Sequence, residues 1–216
     1  MSNPKLSVYV SGITPNPAKV IILLEELGIS YITVQKEFGD GLKGVKAPDF
    51  LKINPNGRVP AIIDHANGNK IVWESAAILY YLSEKYDASG KYSGTNLDEK
   101  TEVMQWLVFQ VSGMGPMQGQ LNYFKHRHPV KGLHHSVYDR FRDESYHVWR
   151  VLEERLKDRQ WLALDRFTIA DIAVYTWLRV AHVGELDFKG FPKLKAYFDK
   201  ISEFSSVKVT YARLSV

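Results

Sequence analysis

Two short segments joined by a hairpin constrain this chain more than any other part of its sequence. The first is Asn54-Pro55-Asn56-Gly57-Arg58-Val59-Pro60-Ala61, and the second is Trp73-Glu74-Ser75-Ala76-Ala77-Ile78. Between them, two short apolar runs flank a turn at residues 67–69, a pattern typical of antiparallel strands. We therefore expect both segments at one end of a small sheet, where they can clamp a peptide-like ligand.

These segments, at this spacing, resemble the glutathione site of the cytosolic glutathione transferases. In that family the valine backbone pairs with the cysteinyl unit of glutathione, and the Val-Pro bond is cis. Residue chemistry alone favours an ordinary strand-initiating proline, because only about 5–6% of X–Pro bonds in folded proteins are cis. The resemblance implies that the bond between Val59 and Pro60 is cis.

The resemblance covers essentially the whole chain and is closest to the nu-class bacterial enzymes and the fungal nitrogen-regulator type. Its other landmarks are Thr14-Pro15-Asn16, residues 105–110, Gly115-Pro116-Met117 and residues 168–172. It implies an α/β thioredoxin-like N-terminal domain followed by an all-α C-terminal domain, and a homodimer. A polar, glycine-containing stretch marks the linker at 88–98, so we place the domains at 1–87 and 99–216.

Local patterns give the expected elements. Residues 6–10 alternate like a strand, and Asn16 before Pro17 predicts an N-cap for a helix that ends at Gly28. A strand at 31–34, a short helix at 48–52, the hairpin and a helix at 75–86 complete this domain. Beyond residue 99 the pattern is helical, interrupted at 113–116, and Thr168 with Asp171 predicts a capping box.

Composition limits the chemistry and the partners. The 216 residues include no cysteine, so any reacting sulfur must come from a bound small molecule. No apolar run approaches the roughly 20 residues of a membrane span, and the first residues lack the pattern of a signal peptide. We therefore expect a cytoplasmic protein that binds no membrane.

A basic, histidine-rich segment permits two further interpretations, a nucleic-acid surface and a metal site. It consists of Lys125, His126, Arg127, His128, Lys131, His134 and His135. Acidic or cysteine partners at ligand spacing are missing, and a polar loop between helices explains the pattern better. We expect neither nucleic acid nor metal to bind.

A transferase must hold glutathione as a thiolate. The resemblance places the sulfur at the N-terminus of the first helix, with Asn16 as the first candidate donor and Thr14 as the second. Each has a structural alternative, a helix cap for Asn16 and a turn hydroxyl for Thr14. Tyr9 falls within a strand and is expected in the core, and Ser11 is a weaker candidate. Pro17 stands where relatives carry glycine and removes one backbone N–H. Stabilisation of the thiolate is therefore expected to depend more on side-chain donors.

The remaining glutathione contacts follow from charge. Glu74 suits the γ-glutamyl ammonium, and the hydroxyl and amide of Ser75 at a helix start suit its carboxylate. The alternative for this pair is an N-cap. Val59 supplies a backbone donor and acceptor for the cysteinyl unit, and Arg58 and Pro60 beside it are further candidates for glutathione binding. Relatives place glutamine or histidine near Val45 for the glycyl carboxylate. The further candidates are Lys46 or Lys52 for that carboxylate, and Arg140 from the helical domain.

The resemblance implies a glutathione transferase with glutathione as co-substrate. The second substrate is an electrophile for conjugation, or a disulfide or peroxide for reduction. The alternative is a non-catalytic module that keeps the fold for protein contacts or regulation.

Overall fold

The structure, a computed structural model, describes residues 4–130 and 132–215. It divides into two compact units, one formed by residues 4–90 with 204–215 and the other by residues 91–203. The predicted domain limits at residues 1 and 216, and Lys131 of the basic segment, lie outside the described residues. Among the described helices, none combines the length and apolar character needed to cross a membrane.

The first unit is built on a mixed sheet. Its strands are β1 (Leu6–Val10), β2 (Tyr31–Gln35), β3 (Ala61–Asp64) and β4 (Lys70–Trp73). Their order across the sheet is β2-β1-β3-β4, with β1 parallel to β2 and antiparallel to β3, and with β3 antiparallel to β4. The predicted strands and hairpin are confirmed. The alternation of β1 arises because Leu6, Val8 and Val10 are fully buried.

The helices alternate with these strands and then continue to the end of the described chain. In chain order they are α1 (Pro15–Leu27), α2 (Pro48–Leu51), α3 (Ser75–Tyr86), α4 (Leu97–Phe109), α5 (Gly115–Asn122), α6 (His135–Arg155), α7 (Ile169–Arg179), α8 (Pro192–Ser202) and α9 (Ser205–Leu214). The predicted helix at 75–86 is confirmed at both ends.

The first helix begins two residues earlier than predicted. Thr14 is the N-cap, with extended backbone at φ −117° and ψ 146°, and Pro15 is the first helical residue. The prediction of Asn16 as the cap was wrong, because Pro15 and Pro17 both fit a first turn whose amides have no intrahelical acceptor. The helix ends as predicted at Gly28, whose φ of 62° is left-handed.

The helix α1 is the centre of the first unit. It packs against β1, α3 and α9, and eight consecutive residues, Pro17 to Leu24, are buried. Helix α9 reaches it through Ser206, whose Oγ donates to Glu26 at 2.6 Å. The compact units therefore differ from the predicted domains in where they place the last helix. The predicted linker at 88–98 stays a prediction about domain organisation.

In the second unit, the interruption predicted at residues 113–116 is a change of helix type. A π-helical turn over Gln110–Met114 joins α4 to α5, and the amide of Gly115 donates to the carbonyl of Gln110. Pro116 has no N–H, so the backbone ladder shifts register here without ending the helix.

The predicted capping box of α7 is confirmed. Asp171 is fully buried and accepts from the amide and hydroxyl of Thr168 at 2.8 and 2.9 Å. It also accepts from the amide of Leu162 and the hydroxyl of Tyr197, each at 3.0 Å. One carboxylate thus fixes the start of α7 and ties it to two other segments.

Candidate active site

The sheet register brings the two motif segments to one edge. Tyr9 in β1 pairs with Ala61 in β3, and Ala61 pairs with Trp73 in β4. The chain therefore leaves β1, enters β3 and leaves β4 at the same end of the sheet. This end of the sheet, which we call the sheet edge, carries the start of α1, the Val59-Pro60 bond and the start of α3.

A buried amide closes the loop that leads into β3. Asn54 is 1% exposed, and its Nδ2 donates to the carbonyl of Arg58 at 2.7 Å. Its Oδ1 accepts from the amide of Asn56 at 3.0 Å. The Val59-Pro60 bond that follows is cis, as the resemblance implies. The loop is thus held from within, which leaves the half-buried Val59 at the edge of the sheet.

The start of α3 combines an exposed carboxylate with a buried hydroxyl. Glu74 has a φ of 69° and a ψ of 120°, a conformation that L residues rarely adopt and that costs about 1–3 kcal/mol. Its side chain is exposed, whereas Ser75 is buried at 7% exposure and is the first residue of the helix. Strain of this kind concentrates at ligand sites, because the surrounding fold must hold the residue in place.

The start of α1 offers few backbone donors. Of its first three residues, Pro15 and Pro17 have no N–H, so Asn16 carries the amide hydrogen at these positions. Thr14 uses its hydroxyl to donate to the carbonyl of Ser11 at 3.2 Å. Both Thr14 and Asn16 are half-buried at the sheet edge. Any anion held here depends on side-chain donors more than a normal helix N-terminus does.

Tyr9 lies in β1, as the sequence predicts, and its ring packs against Phe50 with centroids 5.3 Å apart. Burial, together with the nearby Asp49 carboxylate, raises the pKa of Tyr9 above its ordinary value. The phenol therefore stays protonated at neutral pH.

Lys46 and Arg58 are exposed residues flanking the loop before β3. The ammonium of Lys46 donates to the carbonyl of Asn56 at 2.7 Å. An ammonium has three donors, so this bond leaves Lys46 able to meet a ligand carboxylate as well. Val45 is 5% exposed and packs with Phe50, so an apolar side chain occupies the position where the resemblance implies a polar one.

Arg140 lies on α6, in the second unit. Its side chain is 72% exposed, and its Nη1 is 3.8 Å from the carboxylate of Glu144 one turn away. This pairing is a surface contact of small energetic value. A role for Arg140 in glutathione binding stays a prediction.

The first part of the basic segment is helical, whereas residues 128–130 and 132–134 form the predicted loop. Tyr123–Arg127 forms a second π-helical turn after α5, and Lys125 pairs with Glu185 at 2.5 Å. The ring of His126 contacts the carbonyl of Val183 at 2.6 Å. Within residues 4–130 and 132–215, no group of three acidic or histidine side chains is placed to hold a metal ion.

Sequence reasoning missed two residues that support the site, Asn54 and Lys19. Lys19 is 1% exposed, and its Nζ donates to the hydroxyl of Ser75 at 3.3 Å, which links α1 to the start of α3. The available signal was a single charge followed by the apolar run Val20 to Leu24. A lysine that is buried together with such a run is unusual, since lysine is almost never fully buried.

Comparison with known proteins agrees with this site. A family model described as the glutathione S-transferase N-terminal domain matches residues 5–84, and the corresponding C-terminal domain matches residues 126–204. Glutathione S-transferase 2 of Schizosaccharomyces pombe is 38% identical, with 97% of this chain and 96% of that protein covered. The disulfide-bond oxidoreductase YfcG of Escherichia coli is 35% identical, with 87% and 86% covered.

A solved structure agrees over nearly the full length. The glutathione transferase URE2P8 of Phanerochaete chrysosporium, crystallised with oxidized glutathione, superposes with a TM-score of 0.91. The two are 34% identical, and 99% of this chain and 96% of that chain are covered. The fold class is therefore the predicted one, a thioredoxin-like sheet domain with an all-helical C-terminal domain. The chain belongs to the glutathione S-transferase family.

Proposed function

We propose that the sheet edge of the first unit binds glutathione and that the bound thiolate attacks a sulfur or carbon electrophile. The observation that carries this proposal is the convergence of three features at one end of the sheet: the half-buried Val59, the strained Glu74 and the buried Ser75. Val59 offers backbone groups to the cysteinyl unit. Glu74 pairs with the γ-glutamyl ammonium, and Ser75 donates to its carboxylate.

Asn16 and Thr14 complete the proposed site at the thiol end. A free thiol with a pKa near 8.5 is only about 3% thiolate at pH 7. Lowering that pKa by about two units would make it roughly three-quarters ionised. Because two prolines remove amides from the first turn, the side-chain NH₂ of Asn16 supplies the main donor. The hydroxyl of Thr14 has one hydrogen, which goes to the carbonyl of Ser11, so it donates to the sulfur only when that bond opens. Lys46 contributes a cation for the glycyl carboxylate, with Lys52 as the alternative, and Arg58 lies next to Val59.

Disulfide reduction is the favoured reaction. The thiolate of glutathione attacks the glutathionyl sulfur of a mixed disulfide, the old S–S bond breaks as that of oxidized glutathione forms, and the departing substrate thiolate takes a proton from solvent. No protein thiol is needed, which fits a chain without cysteine. The support is the name of the Escherichia coli relative and the oxidized glutathione in the URE2P8 crystal.

Conjugation to an electrophile is the second candidate, and a specific comparison favours it. A structural neighbour 35% identical to this chain was crystallised with 1-(S-glutathionyl)-2,4-dinitrobenzene. The same thiolate serves both reactions, since only the attacked atom differs. Peroxide reduction follows the same logic, with oxygen as the attacked atom.

Calorimetric titration with reduced and oxidized glutathione, side by side, tests the proposal. Tighter binding of the disulfide, with turnover of 2-hydroxyethyl disulfide, supports disulfide reduction. Tighter binding of reduced glutathione, with turnover of an aromatic chloride, supports conjugation. Binding without turnover on disulfides, chlorides and hydroperoxides leaves the non-catalytic module, and no binding at all overturns the proposal.

We also propose that the protein is a cytoplasmic homodimer, as the resemblance implies. Sedimentation equilibrium of the purified protein tests whether it is a dimer. A mass near twice 24.7 kDa agrees with the dimer, and a mass of 24.7 kDa at micromolar concentration contradicts it.

A further inference from the structure

A buried cation lies under the start of α3. Lys19 is on α1, five residues after the N-cap Thr14, and its side chain is enclosed because α1 packs against β1, α3 and α9. It is 1% exposed and ranks among the largest fully buried side chains. Its Nζ donates to Ser75 Oγ at 3.3 Å.

This hydrogen bond decides what the Ser75 hydroxyl can do. A hydroxyl has one hydrogen and can accept two hydrogen bonds. Because the ammonium of Lys19 occupies the oxygen as a donor, the hydroxyl hydrogen is free to be donated on another side. Ser75 is the first residue of α3, where backbone amides also point out of the helix. Its hydroxyl is therefore set up to donate to an anion.

The charge of Lys19 is costly to bury, and the carboxylate of Glu74 offsets part of that cost. Burial lowers the pKa of Lys19 to about 7, and the nearby carboxylate of Glu74 opposes this change. Glu74 is exposed and, under the proposed function, pairs with the ligand's ammonium. An anion bound beside Ser75 would supply further compensation for the buried cation.

We propose that Lys19 is a positioning residue for the α-carboxylate of the γ-glutamyl group, acting through Ser75; this inference rests on the proposed function. Lys19 turns the hydroxyl of Ser75 toward the carboxylate and places a positive charge beneath it. Glu74 provides the opposite charge for the ammonium on the same carbon. The zwitterionic end of glutathione is thus recognised by two charges of opposite sign, the buried Lys19 and the exposed Glu74.

A set of two ligands and two proteins tests this inference. The ligands are glutathione and its analogue with 4-aminobutyrate in place of γ-glutamate, which keeps the ammonium and lacks the α-carboxylate. The proteins are the wild type and Lys19→Met, a substitution of similar volume. We expect Lys19→Met to weaken glutathione binding at least tenfold and to change binding of the analogue less than twofold. An equal loss of affinity for both ligands, or no loss of affinity for either, overturns the inference.

The analogue with glutarate in place of γ-glutamate serves as the ligand control. It keeps a carboxylate and lacks the ammonium, so Lys19→Met should weaken its binding as much as it weakens binding of glutathione. Ser75→Ala should reproduce the pattern of Lys19→Met, and the double variant should lose little more than either single one, because the two groups act in series. If the losses of affinity in the two single variants add up in the double variant, Lys19 does not act through Ser75.

Two further variants separate charge from orientation and guard against misfolding. Lys19→Gln keeps a donor for Ser75 without the charge, so intermediate affinity for glutathione is expected. Lys70→Met removes an exposed lysine of the same unit and should leave binding unchanged. Circular dichroism and urea unfolding establish that each variant folds, and either folded Lys19 variant suffices for the test. Failure of the wild type to bind glutathione would defeat the proposed function itself, before any variant is compared.

Discussion

The side-chain amide of Asn54 donates to the backbone carbonyl of Arg58 across 2.7 Å, and this bond closes the loop that presents Val59. Asn54 is 1% exposed, so both of its polar ends must find partners within the protein. The carbonyl of Arg58 and the amide of Asn56 are those partners. A residue outside the proposed ligand contacts thus determines the shape of the loop.

We predict that Asn54→Ala lowers the free energy of unfolding by about 1–3 kcal/mol, because it removes both hydrogen bonds of a buried side chain. It should also weaken glutathione binding, since Val59 loses its support. Urea unfolding and calorimetry measure the two effects. Asn56→Ala, an exposed change in the same loop, is the matched control and should leave stability within about 0.5 kcal/mol. Equal effects of the two substitutions would contradict the role of Asn54.

Asn16→Ala should reduce turnover at least tenfold, about 1.4 kcal/mol of barrier, if its side chain stabilises the thiolate. The pKa of bound glutathione, followed by the ultraviolet absorbance of the thiolate, should rise in this variant. Thr14→Val is the companion test and should have a smaller effect, because its hydroxyl already donates to Ser11. An unchanged thiol pKa in Asn16→Ala removes this residue from the mechanism.

Glu74→Gly should stabilise the folded protein while it weakens glutathione binding. Glycine adopts a positive φ without the steric cost that a side chain incurs at φ 69°, so we expect a gain of about 1 kcal/mol. The control is Ala77→Gly, an exposed position within α3, where glycine should cost about 1 kcal/mol. In thermal unfolding we expect a higher midpoint for Glu74→Gly and a lower midpoint for Ala77→Gly than for the wild type. A loss of stability in both variants would contradict strain at Glu74.

The buried Lys19 predicts a specific dependence of stability on pH. Its pKa falls from an ordinary value near 10.5 in the unfolded chain to about 7 in the folded protein. Between these values the unfolded state binds more protons, so the stability of the wild type should rise with pH from about 7 to 10. Lys19→Met lacks this gain. The stability advantage of Lys19→Met should therefore be largest below pH 7 and shrink as the pH rises. The carboxylate of Glu74 opposes the lowering of the pKa of Lys19 and so limits the effect.

Measuring urea unfolding of both proteins at several pH values isolates this effect, because the other titrating groups are common to the two. A constant difference between pH 6 and pH 10 would show that Lys19 keeps an ordinary pKa. Lys70→Met, at an exposed position, should show no such trend relative to the wild type.

Asp171→Asn should lower the free energy of unfolding by about 3 kcal/mol or more. The carboxylate accepts from four donors, and an amide would turn its NH₂ toward some of them. Asp165→Asn, an exposed change six residues earlier, is the control and should have little effect. Thermal unfolding compares the two, and similar midpoints would contradict the structural role of Asp171.

Much of the fold follows from patterns within a few residues. The alternation in β1, the glycine at the end of α1, the capping box of α7 and the hairpin each arise from local rules, and the structure confirms them. The motif segments also identify the family, because their chemistry and spacing are visible in the chain itself. The start of α1 shows the limit of such rules, since two closely spaced prolines fit a first turn equally well.

The tertiary structure decided what depends on distant segments. The cis state of Val59-Pro60 has low prior odds in any sequence, and here the resemblance, not residue chemistry, implied it. The burial of Lys19 depends on α3, whose Ser75 contacts it from 56 residues further along the chain. The sequence by itself thus determined the elements and the family. Packing between remote segments determined which charges are buried and which groups meet at the sheet edge, because burial is a property of the assembled fold.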